Sequence, residues 1–286
     1  MLQMASAIFL FVAASSDSHR LGVQLYKEHK YAEAIAALEQ AAKAEKADSA
    51  DFQESALLIG QSYFQLSQAA QAIPWLEKVP QVNEANYMLG YAYLQNRQIG
   101  QSVQAFARLF HLTPESASAH LLTAQMMMKK EFEEEAVGQA NAALALDPKI
   151  PQAHFLLGEV ALYQGRTEDG IKELRAELTV NPGFSQAWYR LGDGYTRLAQ
   201  WDSAIPHLQR AVWLNPSFSG PYILLGKCYF NTGNLMNAEG ILRKALLLDP
   251  NNASATYLLG RTLMAEGKTD EAKTVMEKVK DLKLAE

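Results

Sequence analysis

Residues 185–218 read SQAWYRLGDGYTRLAQWDSAIPHLQRAVWLNPSF. The first half places Trp188, Leu191, Gly192 and Tyr195 on one face of a helix. After Ala199 and Gln200 a second run follows, with Trp201, Ala204, Ile205, Leu208 and Ala211 at helical spacing. Pro216 ends this run, because proline cannot continue the backbone hydrogen bonds of a helix. The stretch therefore predicts two helices joined by a short turn.

The same pattern recurs along the chain with a period of 34 residues. Proline recurs at Pro114, Pro148, Pro182, Pro216 and Pro250, and a small residue at Gly90, Ala124, Gly158, Gly192, Gly226 and Gly260. The spacing before Gly90 is irregular, because Gly22, Gly60 and Gly90 are 38 and 30 residues apart. One hairpin cannot bury both of its apolar faces, so we expect successive hairpins to stack.

The pattern W-x2-L-G-x2-Y, followed by alanine and then proline, is similar to the tetratricopeptide repeat (TPR) family. The resemblance runs from about Ser15 to Val279 and implies an all-α fold, a right-handed α-solenoid of about eight hairpins. The predicted array covers 15–286, with units near 15–48, 53–82, 83–116, 117–150, 151–184, 185–218, 219–252 and 253–286. The glycine of each first helix and the alanine of each second helix are expected where the two axes approach closely.

Two parts of the array depart from the repeat. The fifth unit has Ala161 in place of an aromatic residue, Gly170 in place of alanine and Glu177 in place of an apolar residue, so we expect the loosest hairpin there. No separate polar helix follows the eighth unit. Either the charged last helix is its own cap, or this end stacks on a second copy of the chain.

Composition excludes several classes of function. The chain has 286 residues, 49% of them hydrophobic and 20% charged, which is typical of a folded protein. The net charge is −5 and the sequence has no basic stripe, so it indicates no surface for binding nucleic acid. The single cysteine, Cys228, excludes an intrachain disulfide and a cysteine-built zinc site. No apolar stretch has the roughly 20 residues that a membrane-spanning helix needs.

Residues 1–14 are either a signal peptide or an N-terminal apolar segment that packs on the array. Val12 and Ala14 have the spacing of a signal-peptidase site, but no Lys or Arg precedes the apolar run. The first alternative predicts export, to the periplasm or the extracellular space, and the second predicts a cytoplasmic protein.

No set of residues converges on catalytic chemistry, so we predict a protein that is not an enzyme and needs no cofactor or metal. His120 and His154 stand where later units have Trp188 and Tyr222, which favours a packing role. Two stacked imidazoles could meet at a metal, but no third ligand is expected beside them. The glycines lie 34 residues apart and form no phosphate-binding loop.

The resemblance implies a concave groove, lined by the first helices, that takes a peptide or helix of a protein partner. The groove positions in this chain are Tyr87, Tyr91, Phe155, Glu159, Tyr163, Tyr189, Asp193, Arg197, Lys227, Phe230, Tyr257 and Arg261. Many are aromatic, as in recognition surfaces, although burial against the next hairpin is an equal alternative. Their charges suit a partner with an apolar segment at one end and an acidic group at the other.

One TPR subclass holds the acidic tail of a chaperone through an asparagine on the first helices. The asparagine position here holds Tyr91, Gln125, Glu159, Asp193, Lys227 or Arg261, so that clamp is absent. We therefore expect a non-catalytic scaffold for other protein partners. The alternatives are an exported or periplasmic assembly factor that self-associates through its C-terminal end, and a substrate-binding module that works with a separate catalytic chain.

Overall fold

The computed structural model describes residues 17–130 and 132–284, and over these residues the fold is helical with no strand. Residues 17–27 are helical (α1). The other helices are α2 Tyr31–Ala42, α3 Ala50–Gln65, α4 Ala69–Leu76, α5 Asn83–Gln95, α6 Ile99–Leu109, α7 Ala117–Met128, α8 Glu133–Leu146, α9 Ala153–Tyr163, α10 Thr167–Val180, α11 Ser185–Arg197, α12 Trp201–Leu214, α13 Ser219–Asn231, α14 Leu235–Leu248, α15 Ala253–Ala265 and α16 Thr269–Leu284.

Consecutive helices pair as hairpins, which we number 1 to 8 from α1–α2 to α15–α16. The chain divides after Leu146 into two compact units. The N-terminal unit contains hairpins 1 to 4, and the C-terminal unit contains hairpins 5 to 8. The prediction of an all-α fold built from helical hairpins is confirmed for the described residues.

In every hairpin except hairpin 4, which has Ala124 at this position, a glycine of the first helix packs closely against a large apolar residue of the second. A Cβ added at Gly192 would lie 2.5 Å from the Leu208 side chain, and one at Gly226 would lie 2.5 Å from Leu242. The large residue stands 16 positions after the glycine in both cases. The close approach of the two axes is thus the physical reason for the 34-residue glycine period.

Hairpin 5 is well packed, unlike the loose unit that the sequence predicts. Glu177 is fully buried, and its carboxylate accepts hydrogen bonds from the backbone N–H of Gln152 at 2.9 Å and of Phe155 at 3.3 Å. A Cβ added at Gly170 would lie 2.8 Å from Leu162, and Ala161 is buried as well. Each of the three departures from the repeat is thus accommodated by the packing or hydrogen bonding of this hairpin.

The last helix, α16, has one apolar face. Ala272 and Val279 are buried, and Met276 lies under Gly260 of α15. Lys273 and Glu277 are exposed on the opposite side. This pattern is the one expected of a helix that caps its own array.

The signal or apolar segment predicted at 1–14 lies outside the described residues. Of the helices that the structure describes, none is both long enough and apolar enough to cross a bilayer.

Candidate functional site

The first helices of the C-terminal unit form one continuous surface. In chain order α9 contacts α11, α11 contacts α13, and α13 contacts α15. Each second helix packs mainly against its own first helix and the first helix of the next hairpin. Side chains of the four first helices that point away from their hairpins therefore lie side by side, and we call this the inner surface of the C-terminal unit.

The larger cleft of this surface, of about 520 Å³, is formed by residues of α11, α13 and α15 and by Asn252 at the start of α15. Ile223, Leu224 and Leu258 give it an apolar lining. Four of the groove residues predicted from the sequence line it: Tyr189, Lys227, Tyr257 and Arg261.

The two cations of this cleft differ from the other basic residues nearby. Among the side chains that the structure describes, neither Lys227 nor Arg261 has a carboxylate within 4.0 Å. Arg190, by contrast, contacts Glu159 at 2.8 Å, and Arg197 contacts Asp193 at 3.0 Å. The inner surface therefore carries uncompensated positive charge at its α13–α15 end.

Aromatic rings hold these cations in place. The Arg261 guanidinium lies 4.7 Å from the centre of the Phe230 ring and 5.8 Å from that of Tyr257, within the range of cation–π attraction. The Lys227 ammonium lies 5.7 Å from the Trp201 ring centre. Ring faces attract a cation but leave its N–H donors available for a carboxylate.

A second cleft, of about 220 Å³, adjoins the first and shares Tyr189 with it. Phe155, Glu159, Arg190 and Phe218 contribute to its lining. Tyr189 packs edge-to-face on Phe218, with ring centres 4.9 Å apart. Burial, together with the negative charge of Asp193, raises the pKa of the Tyr189 phenol above its ordinary value, so its hydroxyl stays protonated.

The other predicted groove residues lie apart from these clefts or beneath them. Tyr163 is 79% exposed at the end of α9. Asp193 and Arg197 form an ion pair on α11, and Arg197 also donates to the carbonyl of Leu162 at 2.7 Å. Phe230 lies under Arg261.

Tyr87 and Tyr91 belong to the N-terminal unit. Tyr87 is 40% exposed, but Tyr91 is only 2% exposed, and its hydroxyl donates to the carbonyl of Met126 at 3.1 Å. Its ring packs on Phe106. The Tyr91 side chain therefore packs its unit together and presents no surface to a partner in this conformation.

Several residues of the clefts are not among those predicted from the sequence. Ile223 stands 34 positions after Tyr189 and 34 before Tyr257, so extending the repeat would have found it. Phe218 and Asn252 likewise stand 34 and 68 positions after Phe184, at the starts of first helices. Ile223 and Asn252 differ in type from their repeat equivalents, and Phe218 stands just before its first helix, so the repeat pattern singles out none of the three.

His120 and His154 each form a hydrogen bond inside their own hairpin. His120 Nδ1 lies 2.7 Å from the side-chain oxygen of Gln139, and His154 Nδ1 lies 2.7 Å from the carboxylate of Glu173. Within the described part of the chain, no group of three or more His, Cys, Asp or Glu residues is arranged to hold a metal ion. Cys228 is fully buried, and burial raises the pKa of its thiol. A buried thiol of raised pKa is a poor nucleophile.

A family model of the tetratricopeptide repeat matches residues 19–85, 87–149 and 155–222, together more than half of the chain. The chain belongs to the TPR family. A second model, of anaphase-promoting complex (cyclosome) subunit 3, matches the C-terminal hairpins over residues 197–279. No curated protein matches the chain.

Solved TPR structures resemble this chain. YrrB, described as a TPR protein with an unusual peptide-binding site, is 25% identical with a TM-score of 0.56, over 63% of this chain and 93% of YrrB. MamA from Desulfovibrio magneticus RS-1 is 22% identical with a TM-score of 0.55, over 59% of this chain and 96% of MamA. Pseudomonas aeruginosa pilF is 20% identical with a TM-score of 0.57, over 70% of this chain and 91% of pilF. MamA and pilF support the fold alone.

Proposed function

We propose that this TPR protein is a non-catalytic scaffold whose C-terminal unit holds a segment of a partner protein on its inner surface. The partner segment places an apolar or aromatic side chain in the cleft of α11, α13 and α15. A carboxylate of the same segment reaches Lys227 and Arg261. The segment continues toward α9 over Tyr189 and the second cleft.

The observation that carries this proposal is the pair of cations without a carboxylate partner beside an apolar cleft. Arg190 and Arg197 of the same surface are neutralised by Glu159 and Asp193, so among the described side chains of this surface the uncompensated positive charge is that of Lys227 and Arg261. Complementary charge fixes the orientation of a bound segment, while the apolar contacts supply much of its affinity.

The likeness to YrrB supports peptide binding as the general activity, since YrrB has a peptide-binding site and shares 25% identity with this chain. Its site is described as unusual, so the residues proposed here rest on the geometry of this chain.

Removing the two cations tests the proposal. We expect the Lys227→Ala, Arg261→Ala double variant to lose at least about tenfold in affinity for partners recovered with the wild-type protein, because the partner's carboxylate is left without its donors. Partners are recovered from an extract of the source cells, and affinities are measured by calorimetry.

The matched control is Arg210→Ala with Lys244→Ala, which removes the same charge from exposed positions of the second helices α12 and α14. Equal loss in both double variants would indicate a nonspecific charge effect and would contradict the proposed site. Unchanged affinity in the Lys227, Arg261 variant would contradict it as well.

A further inference from the structure

The N-terminal unit contains a cavity of about 350 Å³ between hairpin 3 and hairpin 4. Ile99 and Val103 of α6 line one side, and His120 of α7 with Gln139 of α8 lines another. Pro114, in the loop between the hairpins, closes one end. A cavity of this size is large enough to take an aromatic ring.

The repeat provides an internal comparison for this cavity, since each lining residue has an equivalent 68 positions later. His120 corresponds to Trp188, Gln139 to His207, and Val103 to Ile171. In hairpin 6 the Trp188 indole stacks on His207, with ring centres 5.6 Å apart, and packs on the core that contains Ile171. The space that Trp188 fills there is left open beside the smaller His120.

His120 also lacks a hydrogen bond that its equivalents in other hairpins form. In hairpins 3, 6 and 7 the side chain at this position donates to the carbonyl of a proline six residues earlier: Asn86 to Pro80 at 2.8 Å, Trp188 to Pro182 at 2.9 Å and Tyr222 to Pro216 at 3.0 Å. His120 instead bonds to Gln139. No described side chain donates to the Pro114 carbonyl.

The cavity is accessible from the surface. Two lining residues form an exposed rim: Leu146 is 56% exposed, and Gly100 is exposed with no atom within 4 Å of where a Cβ would stand. An exposed leucine and a bare backbone at the rim provide room for a polypeptide to cross the opening. A single ring held within the cavity would leave this exposed surface uncovered, whereas a polypeptide would cover it.

We propose that this cavity binds the tryptophan side chain of a partner polypeptide. The indole stacks on Gln139 as Trp188 stacks on His207, it packs beside Val103, and its N–H donates to the carbonyl of Pro114. The site is in the N-terminal unit and is independent of the function proposed for the C-terminal unit.

N-acetyltryptophanamide is the probe, and methyl NMR of the full chain is the measurement. We expect the Ile99 and Val103 methyl signals to shift on titration, with a Kd on the order of 1 mM, as suits a single side chain. In the His120→Trp variant the built-in indole occupies the cavity, so these shifts disappear and Tm rises. Absence of shifts in the wild-type chain, or equal shifts in the His120→Trp variant, would overturn the proposal.

The reciprocal variant supplies a gain-of-function test. Trp188→His opens the equivalent space in hairpin 6, and we expect the probe to shift the Ile171 methyl signals only in this variant. Free indole is a second probe, because it distinguishes a small-molecule ligand from the tryptophan side chain of a polypeptide. If indole binds at Ile99 and Val103 while N-acetyltryptophanamide does not, the site takes a small molecule and the partner side chain is excluded.

Discussion

The buried carboxylate of Glu177 caps the N-terminus of α9. The first N–H groups of any α-helix lack partners within the helix. At the start of α9 the Glu177 carboxylate accepts from two of them, those of Gln152 and Phe155. The TPR pattern predicts an apolar residue at this position, because the pattern reflects packing between helices. It does not show which backbone N–H groups need an acceptor.

Replacing Glu177 by the apolar residue that the TPR pattern predicts should therefore destabilise the protein. We expect Glu177→Leu to lower the free energy of unfolding by about 1–3 kcal/mol, because buried N–H groups lose their acceptor. Glu177→Gln keeps one side-chain oxygen and should lose less. Urea denaturation at neutral pH measures both. A Leu variant as stable as the wild type would show that the N–H groups find water or another acceptor.

His207 gives the C-terminal unit a dependence on pH. Its ring stacks between Trp188 and Tyr195, and burial together with the positive charge of Arg175 lowers its pKa below the ordinary 6.5. The folded protein therefore binds a proton less readily than the unfolded chain does. Stability from this residue is complete above pH 6.5 and falls as the pH drops below that value.

The midpoint of urea unfolding should decrease as the pH is lowered from 7.5 to 5.5. The decrease should be smaller in the His207→Gln variant, since glutamine is the residue at the equivalent position, Gln139, of hairpin 4. His111→Asn, at an exposed position of positive φ that asparagine tolerates, is the control and should retain the wild-type decrease. An unchanged pH dependence in His207→Gln would rule out this histidine as its source.

Helix pairs depend on glycine where the axes meet, and hairpin 7 offers a matched pair of glycines. Gly226 of α13 faces Leu242 with no room for a Cβ, whereas Gly240 of α14 has no atom within 4 Å of that position. Both lie within helices. The same substitution should therefore have opposite effects at the two sites.

We expect Gly226→Ala to destabilise the protein by about 1–3 kcal/mol through overpacking. Gly240→Ala should stabilise it by about 0.5–1 kcal/mol, because alanine is the better helix former. Thermal unfolding followed by circular dichroism compares them. Stabilisation by both substitutions would mean that the Leu242 side chain moves to make room for the added methyl group and that the hairpin tolerates a wider separation of its two helix axes.

The elements were largely predictable from the sequence, whereas the surfaces between them were not. Proline at a fixed period marks helix ends, because it cannot continue the backbone hydrogen bonds. Glycine at a fixed period marks axis crossings, because the facing helix leaves no room for a Cβ. Whether Tyr91 is buried or Tyr189 lines a cleft depends on the neighbouring hairpin, which differs from repeat to repeat. The open space beside His120 likewise appears only when its surroundings are compared with those of Trp188.

Ion pairs join the last two hairpins of the chain. Glu239 of α14 accepts hydrogen bonds from Lys268 and, secondly, from Arg243, and these lower the pKa of its carboxyl to about 2. Arg243 also bonds to Glu271 of α16. These contacts orient α16 with its apolar face toward α15 and leave Lys273 and Glu277 in solvent.

The whole molecule should consequently remain a monomer. Stacking a second copy on α16 would remove from water the exposed Glu277 and the Lys273–Asp270 ion pair, which is unfavourable. Light scattering should give a mass of about 31.7 kDa up to the highest soluble concentration. Lys273→Leu with Glu277→Leu creates an apolar strip on the exposed side of α16 and should induce association. A wild-type dimer that these substitutions disrupt would instead place the self-association surface at this end of the chain.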